Sequence, residues 1–419
     1  MLNDVGKLID RLKSRYDDDV VDRMNYLYTS WMLIVASLLV LAKQYVGESI
    51  QCWIPKHFAG AWEEYIESYC FIENTYYFPV DVINKTTTEQ RKDAEVPYYQ
   101  WVPFFLIGMM FVFLLPRFVW RSLNWRSGLK ITGIVEAARI TETDKKAKTK
   151  VLKEGVDDGS ERKEYGQITQ NLASMILYNV EKGRAKKKLP LGYLRQRSET
   201  SYITNCYILY KAMNLGNSLL QLYLLNLFLG PEYTFWGFGV LNDLLLGKHW
   251  QTSGHFPRIT FCDVTQNRLF HGVTHTVQCV LMLNLFNEKI FIVLWFWLAI
   301  LSLFNFINLV YWVLISYVPQ FEIEFVKHLL RFTDPDCLKI PEDLPDESYF
   351  EFVHKFLRKD GVTVLRLICD NAGSPQAAAI TRCLWDRSKD ENFKTENGRL
   401  MASSRKMNHA NPAYDETRY

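Results

Sequence analysis

The sequence predicts an all-α polytopic membrane protein: a bundle of four transmembrane helices carrying a disulfide-bonded extracellular cap and a helical cytosolic dome. Three observations predict it. First, the apolar residues of the 419-residue chain collect in four blocks, at 24–46, 101–121, 206–229 and 290–315. At about 1.5 Å of rise per residue, a helix of each length crosses a hydrocarbon core of roughly 30 Å. Second, the loop between the second and third blocks is the basic one. The stretch 122–205 holds 17 Lys+Arg, against four in 47–100 and four in 230–289. Third, the two flanking loops hold two cysteines each, Cys52 with Cys70 and Cys262 with Cys279, as an oxidising compartment permits.

The elements follow in order. Residues 1–23 form a cytosolic amphipathic helix: Val5, Leu8, Ile9 and Leu12 stand at i, i+3, i+4 and i+7, with Asp4, Lys7, Asp10 and Arg11 on the other face. This helix either rests on a membrane surface or neighbouring domain, or folds back to line a pore entrance. The first span, 24–46, is too long for the core of a cleaved signal peptide and reads as an uncleaved signal anchor, with Lys43 snorkelling at its outer end. In extracellular loop 1 (47–100), Pro55 precedes Phe58, Trp62, Ile66 and Tyr69 at helical spacing, which predicts a short helix ending near Cys70. The only N-x-[ST] sequon, Asn84-Lys85-Thr86, falls in the same loop and makes Asn84 a glycosylation candidate.

The second span, 101–121, contains Pro116, which predicts a kink near 112–116. Only the ends of the cytosolic loop 122–205 count toward the positive-inside rule. Arg117, Arg121, Arg126 and Lys130 leave one span, and Lys186, Lys187, Lys188, Arg195 and Arg197 approach the next. Lys186–Lys188 are either a solvated run or a contact with anionic lipid. Both chain termini are therefore cytosolic. In the third span, 206–229, Lys211, Asn214, Asn217, Ser218 and Gln221 share one face. Lipid penalises such a face, so it meets either other helices or an aqueous pathway. Extracellular loop 2 is 230–289. The fourth span, 290–315, repeats the pattern weakly at Asn305 and Asn308, expected interhelical partners. The cytosolic C-terminal domain, 316–419, shows helical packing at Phe350, Val353, His354 and Leu357, and a disordered end from about Ser388. Cys206, Cys337, Cys369 and Cys383 are expected as free thiols. The final Glu416-Thr417-Arg418-Tyr419 fits a PDZ groove.

A net charge of +3 lacks the basic excess of a nucleic-acid binder, and the apolar blocks exclude a simple cytosolic enzyme. The chain has no GxxxxGK[ST], GxSxG or HExxH. No catalytic residue, metal or cofactor is assigned. His271 and His275 lie between Cys262 and Cys279 at a zinc-like spacing, but zinc needs free thiolates where disulfides are favoured. Disulfides are the preferred reading, and four outer cysteines leave three connectivities open.

The string Tyr98-Tyr99-Gln100-Trp101-Val102-Pro103-Phe104 resembles the signature of the innexins, the invertebrate gap-junction proteins related to pannexins. Ile50-Gln51-Cys52-Trp53, Gly254-His255-Phe256-Pro257-Arg258 before Cys262-Asp263, and Asn287-Glu288-Lys289-Ile290-Phe291 leading into Leu294-Trp295-Phe296-Trp297 agree. The resemblance covers roughly residues 1–320. It implies a homo- or hetero-oligomeric ring of about eight subunits, an octameric hemichannel, in the plasma membrane. That ring docks with a hemichannel of the adjacent cell and passes ions and small molecules. It implies the pairs Cys52–Cys279 and Cys70–Cys262, and an N-terminal funnel that brings Asn3, Asp4 and Lys7 to the pore. The signature string itself reads equally as an interfacial anchor with Pro103 starting a helix. Two other functions stay open: an unpaired large-pore hemichannel releasing metabolites across one membrane, and a four-span organiser or adhesion protein without a pore. Loop 1 holds nine Asp+Glu against four Lys+Arg, which predicts a cation preference, or sensitivity to extracellular divalent ions, where that acidity faces the pore.

Overall fold

A computed structural model describes residues 18–54, 60–78, 87–127, 131–140, 201–229, 256–267, 272–332 and 345–389, with isolated positions at 170, 173, 174, 176 and 239. The chain divides into two compact units. Among the described residues, one unit takes residues 21–119 and 210–309, and the other takes 18–20, 120–209 and 310–389.

The first unit is built on long helices. Helix α1, Val20–Tyr45, begins four residues ahead of its apolar block and widens into a π turn at Met24–Tyr28. After the cap segments β1 (Gln51–Trp53), α2 (Gly60–Ile72) and α3 (Thr88–Asp93) comes α4, Val102–Ser127, which continues through Pro116. A short helix, α5 at 131–140, belongs to the other unit and precedes α6, Tyr202–Leu229, which enters the first unit at Tyr210. Strands β2 (Ile259–Asn267) and β3 (Gly272–Val280) lead into α7, Met282–Tyr317. By length and composition, Val20–Tyr45, Val102–Trp125 and Met282–Tyr317 are each able to cross a membrane. Helix α6 has 28 residues, enough to span, but its polar face dilutes its apolar character. The core of this unit packs Leu33 and Val40 of α1 against Leu106, Met109 and Phe113 of α4, Leu225 of α6, and Phe291, Leu294, Leu298 and Leu301 of α7.

The mostly helical membrane class holds, and the cap adds a feature that the all-α expectation omitted. The three strands form one antiparallel sheet in the order β1-β3-β2. The signal was present: Thr260, Cys262 and Val264 alternate inward, as do Val277 and Cys279, in runs rich in Thr and Val. Period two with β-branched residues is the strand pattern. Helix α7 starts eight residues before its apolar block because Asn284, Asn287 and Glu288, all buried, are polar residues that a hydropathy reading assigns to a loop.

The second unit is helical among the described residues. Helix α8, Pro319–Arg331, opens on a proline whose missing N–H costs nothing there. Helix α9, Asp346–Glu351, runs through a π segment, Phe352–Leu357, into α10, Arg358–Ala372. Gly373 then turns the chain at φ +92° into α11 at 374–389. Phe352, Val353, Leu357, Leu365, Ile368, Ile380 and Trp385 are buried. Arg358 sits at φ +59°, ψ 175°, a conformation that costs a non-glycine residue about 1–3 kcal/mol.

Candidate functional site

The cap welds two loops that lie far apart in sequence. Cys52 faces Cys279 across β1 and β3 and is bonded to it. Cys70, at the end of α2, is bonded to Cys262 of β2. The three sulfurs of Cys52, Cys70 and Cys279 lie within 4.8 Å of one another, but each is spent in a disulfide and offers no thiolate to a metal. The expected helix of loop 1 is present as α2 and ends at Ile72. Of the expected stripe Ile66 is buried and Trp62 is exposed, while Pro55 and Phe58 lie outside the described residues. The Cys52 backbone N–H donates to Glu67 Oε1 at 3.2 Å, yet burial still lifts the Glu67 carboxyl above its usual range, with Glu63 and Glu48 adding to the rise.

The string 98–104 is the joint between cap and helices. Tyr99 is buried, and its hydroxyl donates to the Phe71 carbonyl at 3.2 Å. Burial pushes that hydroxyl up to about 12. Gln100 Nε2 donates to the same carbonyl at 2.7 Å and to Asn74 Oδ1 at 3.0 Å, at the turn where Asn74 adopts φ +74°. Tyr98 packs edge-on against Phe228 and Phe256. Val102 is buried, and Ser37 of α1 donates to the Pro103 carbonyl at 3.1 Å. Trp101 and Phe104 are exposed, as interfacial aromatics would be.

Two carboxylates fix the hairpin in place. Asp263 Oδ1 accepts from Tyr76 at 3.0 Å and Thr276 at 2.6 Å, and its Oδ2 accepts from Arg91 at 3.0 Å. Burial first, and then the Asp263 charge, push the Tyr76 hydroxyl up to about 12. Glu288, buried, takes Arg258 on both oxygens at 3.3 and 3.0 Å, and Lys289 at 2.8 Å. The Leu281 N–H donates to the Arg258 carbonyl, and Asn284 Nδ2 donates to the Pro257 carbonyl.

Between α1, α6 and α7 lies a buried polar network. Lys211 Nζ is 2.6 Å from Asp22 Oδ2, and Asn214 Nδ2 donates to Asp22 Oδ1 at 2.9 Å. Asn25 and Asn305 exchange two amide bonds, at 2.7 and 2.9 Å. Asn305 Nδ2 also reaches Ser218 Oγ at 3.2 Å. All five residues of the polar face of α6 are buried within the chain, so the bundle-packing alternative describes them. Arg117 lies 3.4 Å over the Tyr26 ring.

A family model described as Innexin matches residues 18–388. The chain belongs to the innexin family. It is 38% identical over 376 residues to Innexin unc-9 of Caenorhabditis elegans, covering 89% of this chain and 93% of that relative. It is 39% identical over 372 residues to Innexin-16 of the same organism, covering 89% and 90%. To Innexin-17, also from C. elegans, it is 34% identical over 389 residues, covering 92% and 98%. This innexin is a gap-junction channel subunit, a multi-pass protein of the plasma membrane that assembles into oligomeric channels, and not an enzyme. The match runs past residue 320, the limit of the resemblance read from the sequence, and takes in most of the C-terminal helices of this innexin.

Several sequence expectations fall outside the described residues: the pore candidates Asn3, Asp4 and Lys7, the sequon at Asn84, His271, Cys337, Lys186–Lys188 and the terminal Glu416–Tyr419. Cys206, Cys369 and Cys383 stand outside the two disulfides. Sequence reasoning passed over Asp22, and it quoted Asp263 and Glu288 only within the strings of the resemblance, with no role for either. A charged residue beside an apolar block or within a hairpin carries no periodic signal, and each partner is supplied by the fold.

Proposed function

We propose that about eight copies of this innexin close into a ring, that the ring docks through its cap onto a ring in the adjacent cell, and that ions and small molecules diffuse between the two cytoplasms. In this reading the spans are 24–46, 101–121, 206–229 and 290–315, loops 47–100 and 230–289 are extracellular, and both termini are cytosolic. The N-terminal segment forms a funnel with Asn3, Asp4 and Lys7 at the constriction. A wide pore of this kind discriminates by diameter and by rings of charge, because each subunit repeats the same residue.

The observation that carries the reading is the union of both loops in one cap. Docking demands a face that keeps its shape, and the β1-β3-β2 sheet with its two disulfides supplies one. The test is conductance between paired cells that both express the chain. Current between the cells supports the docked channel, current across single membranes alone supports the unpaired hemichannel, and neither current, with the protein at the surface, contradicts a homomeric pore. Antibody access to a terminal tag on unpermeabilised cells would overturn the topology. One partner contact belongs to the same reading: Tyr419 ends a PDZ ligand whose capture is lost when it is deleted. Asn84 discriminates between the readings instead, since a bulky glycan there, detected as a gel shift on amidase treatment, obstructs the pairing of rings and favours the unpaired hemichannel.

A further inference from the structure

Helix α10 meets the ends of three long helices, and it does so with matched charges. At the start of α6, the Thr204 backbone N–H and hydroxyl both donate to Asp360 Oδ1, at 3.0 and 2.9 Å. The Thr204 hydroxyl is also 2.9 Å from Thr363 Oγ1. A carboxylate placed there takes up N–H groups that a helix start leaves without intrahelical partners, and it faces the positive end of the helix dipole. At the end of α7 the charge is reversed. Arg366 Nη2 donates to the Ile315 carbonyl at 3.3 Å and to the Phe321 carbonyl at 3.1 Å, so a cation meets the carbonyl end of a helix.

Smaller contacts close the same arrangement. Lys359 Nζ lies 4.6 Å over the Tyr317 ring, and the Tyr317 hydroxyl donates to Asn205 Oδ1 at 2.7 Å, joining the end of α7 to the start of α6. Asn371 Nδ2 donates to the Asp18 carbonyl at 3.0 Å, just ahead of α1, and Trp312 Nε1 of α7 donates to Asp19 Oδ2 at 3.0 Å. Asp360 and Arg366 stand on one 15-residue helix. The sharp turn at Arg358, φ +59°, comes two residues before Asp360. Apolar burial alone would seat a helix in the C-terminal unit. An anion and a cation, each set on the helix end of opposite polarity, make a fixed register instead.

We propose that α10 is a latch, tying the ends of α1, α6 and α7 into one body so that displacement of the C-terminal helices moves the three long helices together and changes how readily the channel opens. The latch rests on the channel reading above for its consequence, but not for its existence.

The test uses the full chain, as purified protein in detergent for hydrogen exchange and in paired cells for gating, with surface abundance measured for each variant. Asp360→Ala removes the acceptor at α6, Arg366→Met removes the donor at α7, and Asp360→Asn keeps an acceptor oxygen. Amides 202–205 exchange about tenfold faster in both Asp360→Ala and Arg366→Met, and stay within about twofold of the parent in Asp360→Asn. Both loosening variants shift the conductance–voltage curve in the same direction. The Arg366→Met result is decisive, because the hydrogen bonds of Arg366 go to Ile315 and Phe321 and not to the start of α6; unchanged exchange there overturns the latch. Faster exchange with an unshifted curve, in channels that reach the surface, overturns its role in opening. Where a variant fails to reach the surface, Thr204→Val, which loses only the hydroxyl bonds, takes its place under the same criteria. Absence of current in the parent defeats the homomeric channel reading, while exchange still decides whether the helix ends are tied.

Discussion

Lys211→Met removes one charge from the buried network and nothing of comparable size, since the methionine follows the path of the lysine stem. Lys211 and Asp22 are 3% and 1% exposed, and their charged atoms are 2.6 Å apart. At an effective dielectric of about 20, that separation is worth roughly 6 kcal/mol of attraction, much of it offset by the cost of taking both groups out of water. The net value of the pair is therefore small, but the cost of breaking it is not. In Lys211→Met the Asp22 carboxylate stays buried with Asn214 still donating to it, and a loss of about 3–5 kcal/mol is expected. Asp22→Asn strands the ammonium at similar cost. The double substitution removes both charges, keeps a carboxamide oxygen for Asn214, and recovers most of the loss. Reversible unfolding of the purified chain in mixed detergent micelles, followed by tryptophan fluorescence, measures all three variants. Single losses below about 1 kcal/mol, or losses additive within about 0.5 kcal/mol, would refute the argument that this pair ties the start of α1 to α6.

Three other outcomes are expected. Breaking both disulfides frees loops closed over separations of 227 and 192 residues, which the chain-entropy relation values at no more than about 5 kcal/mol each. Cys52→Ala/Cys279→Ala with Cys70→Ala/Cys262→Ala should abolish current between paired cells, and persistence of normal current would refute the rigid-cap argument. Burial raises the Asp360 carboxyl from 3.8 to about 6 against the opposing pull of the Thr204 hydrogen bonds. Its folded form therefore holds the proton more tightly than its unfolded form. The resulting stabilisation, at most roughly 3 kcal/mol, is full below pH 3.8 and lost as pH rises through about 6. Asp360→Asn should flatten that slope in unfolding measured across pH 4–7, and an unaltered slope would contradict the assignment. Reversal potentials in a salt gradient should show cation preference, given the nine acidic against four basic residues of loop 1; anion preference would rule out that acidity facing the pore.

The helices were legible because lipid imposes a pattern that one sequence displays by itself. A block of apolar residues long enough to cross a bilayer needs no partner to be recognised, so the positions of α1, α4 and α7 follow from composition. The ends of those helices were less legible. Residues 282–289 of α7 include Asn284, Asn287 and Glu288, and the burial of this turn depends on Pro257 and Arg258, which lie on the far side of the hairpin in the chain. The strands were available to a period-two reading but were masked by the expectation that the cap is helical, and the Cys52–Cys279 register shows why the sheet forms. The disulfide that joins the loops also aligns β1 with β3.

The carboxylates divide along the same line. Asp22, Asp263, Glu288 and Asp360 each meet a cation or a hydroxyl delivered from elsewhere in the chain: Lys211, Arg91, Arg258 and Thr204 respectively. Asp22 and Glu288 are buried, and a buried carboxylate without such a partner would be strongly destabilising, yet no local spacing announces any of the four. The strings that carried the resemblance lie at the joints where the pairing is done. Tyr99 and Gln100 hold the carbonyl at the end of α2, while Arg258 and Glu288 hold the hairpin to the first turns of α7. A resemblance built on short strings therefore conveyed long-range structure that hydropathy could not. It did so because residues required at a joint are constrained by both partners at once, whereas a lipid-facing leucine is constrained by none.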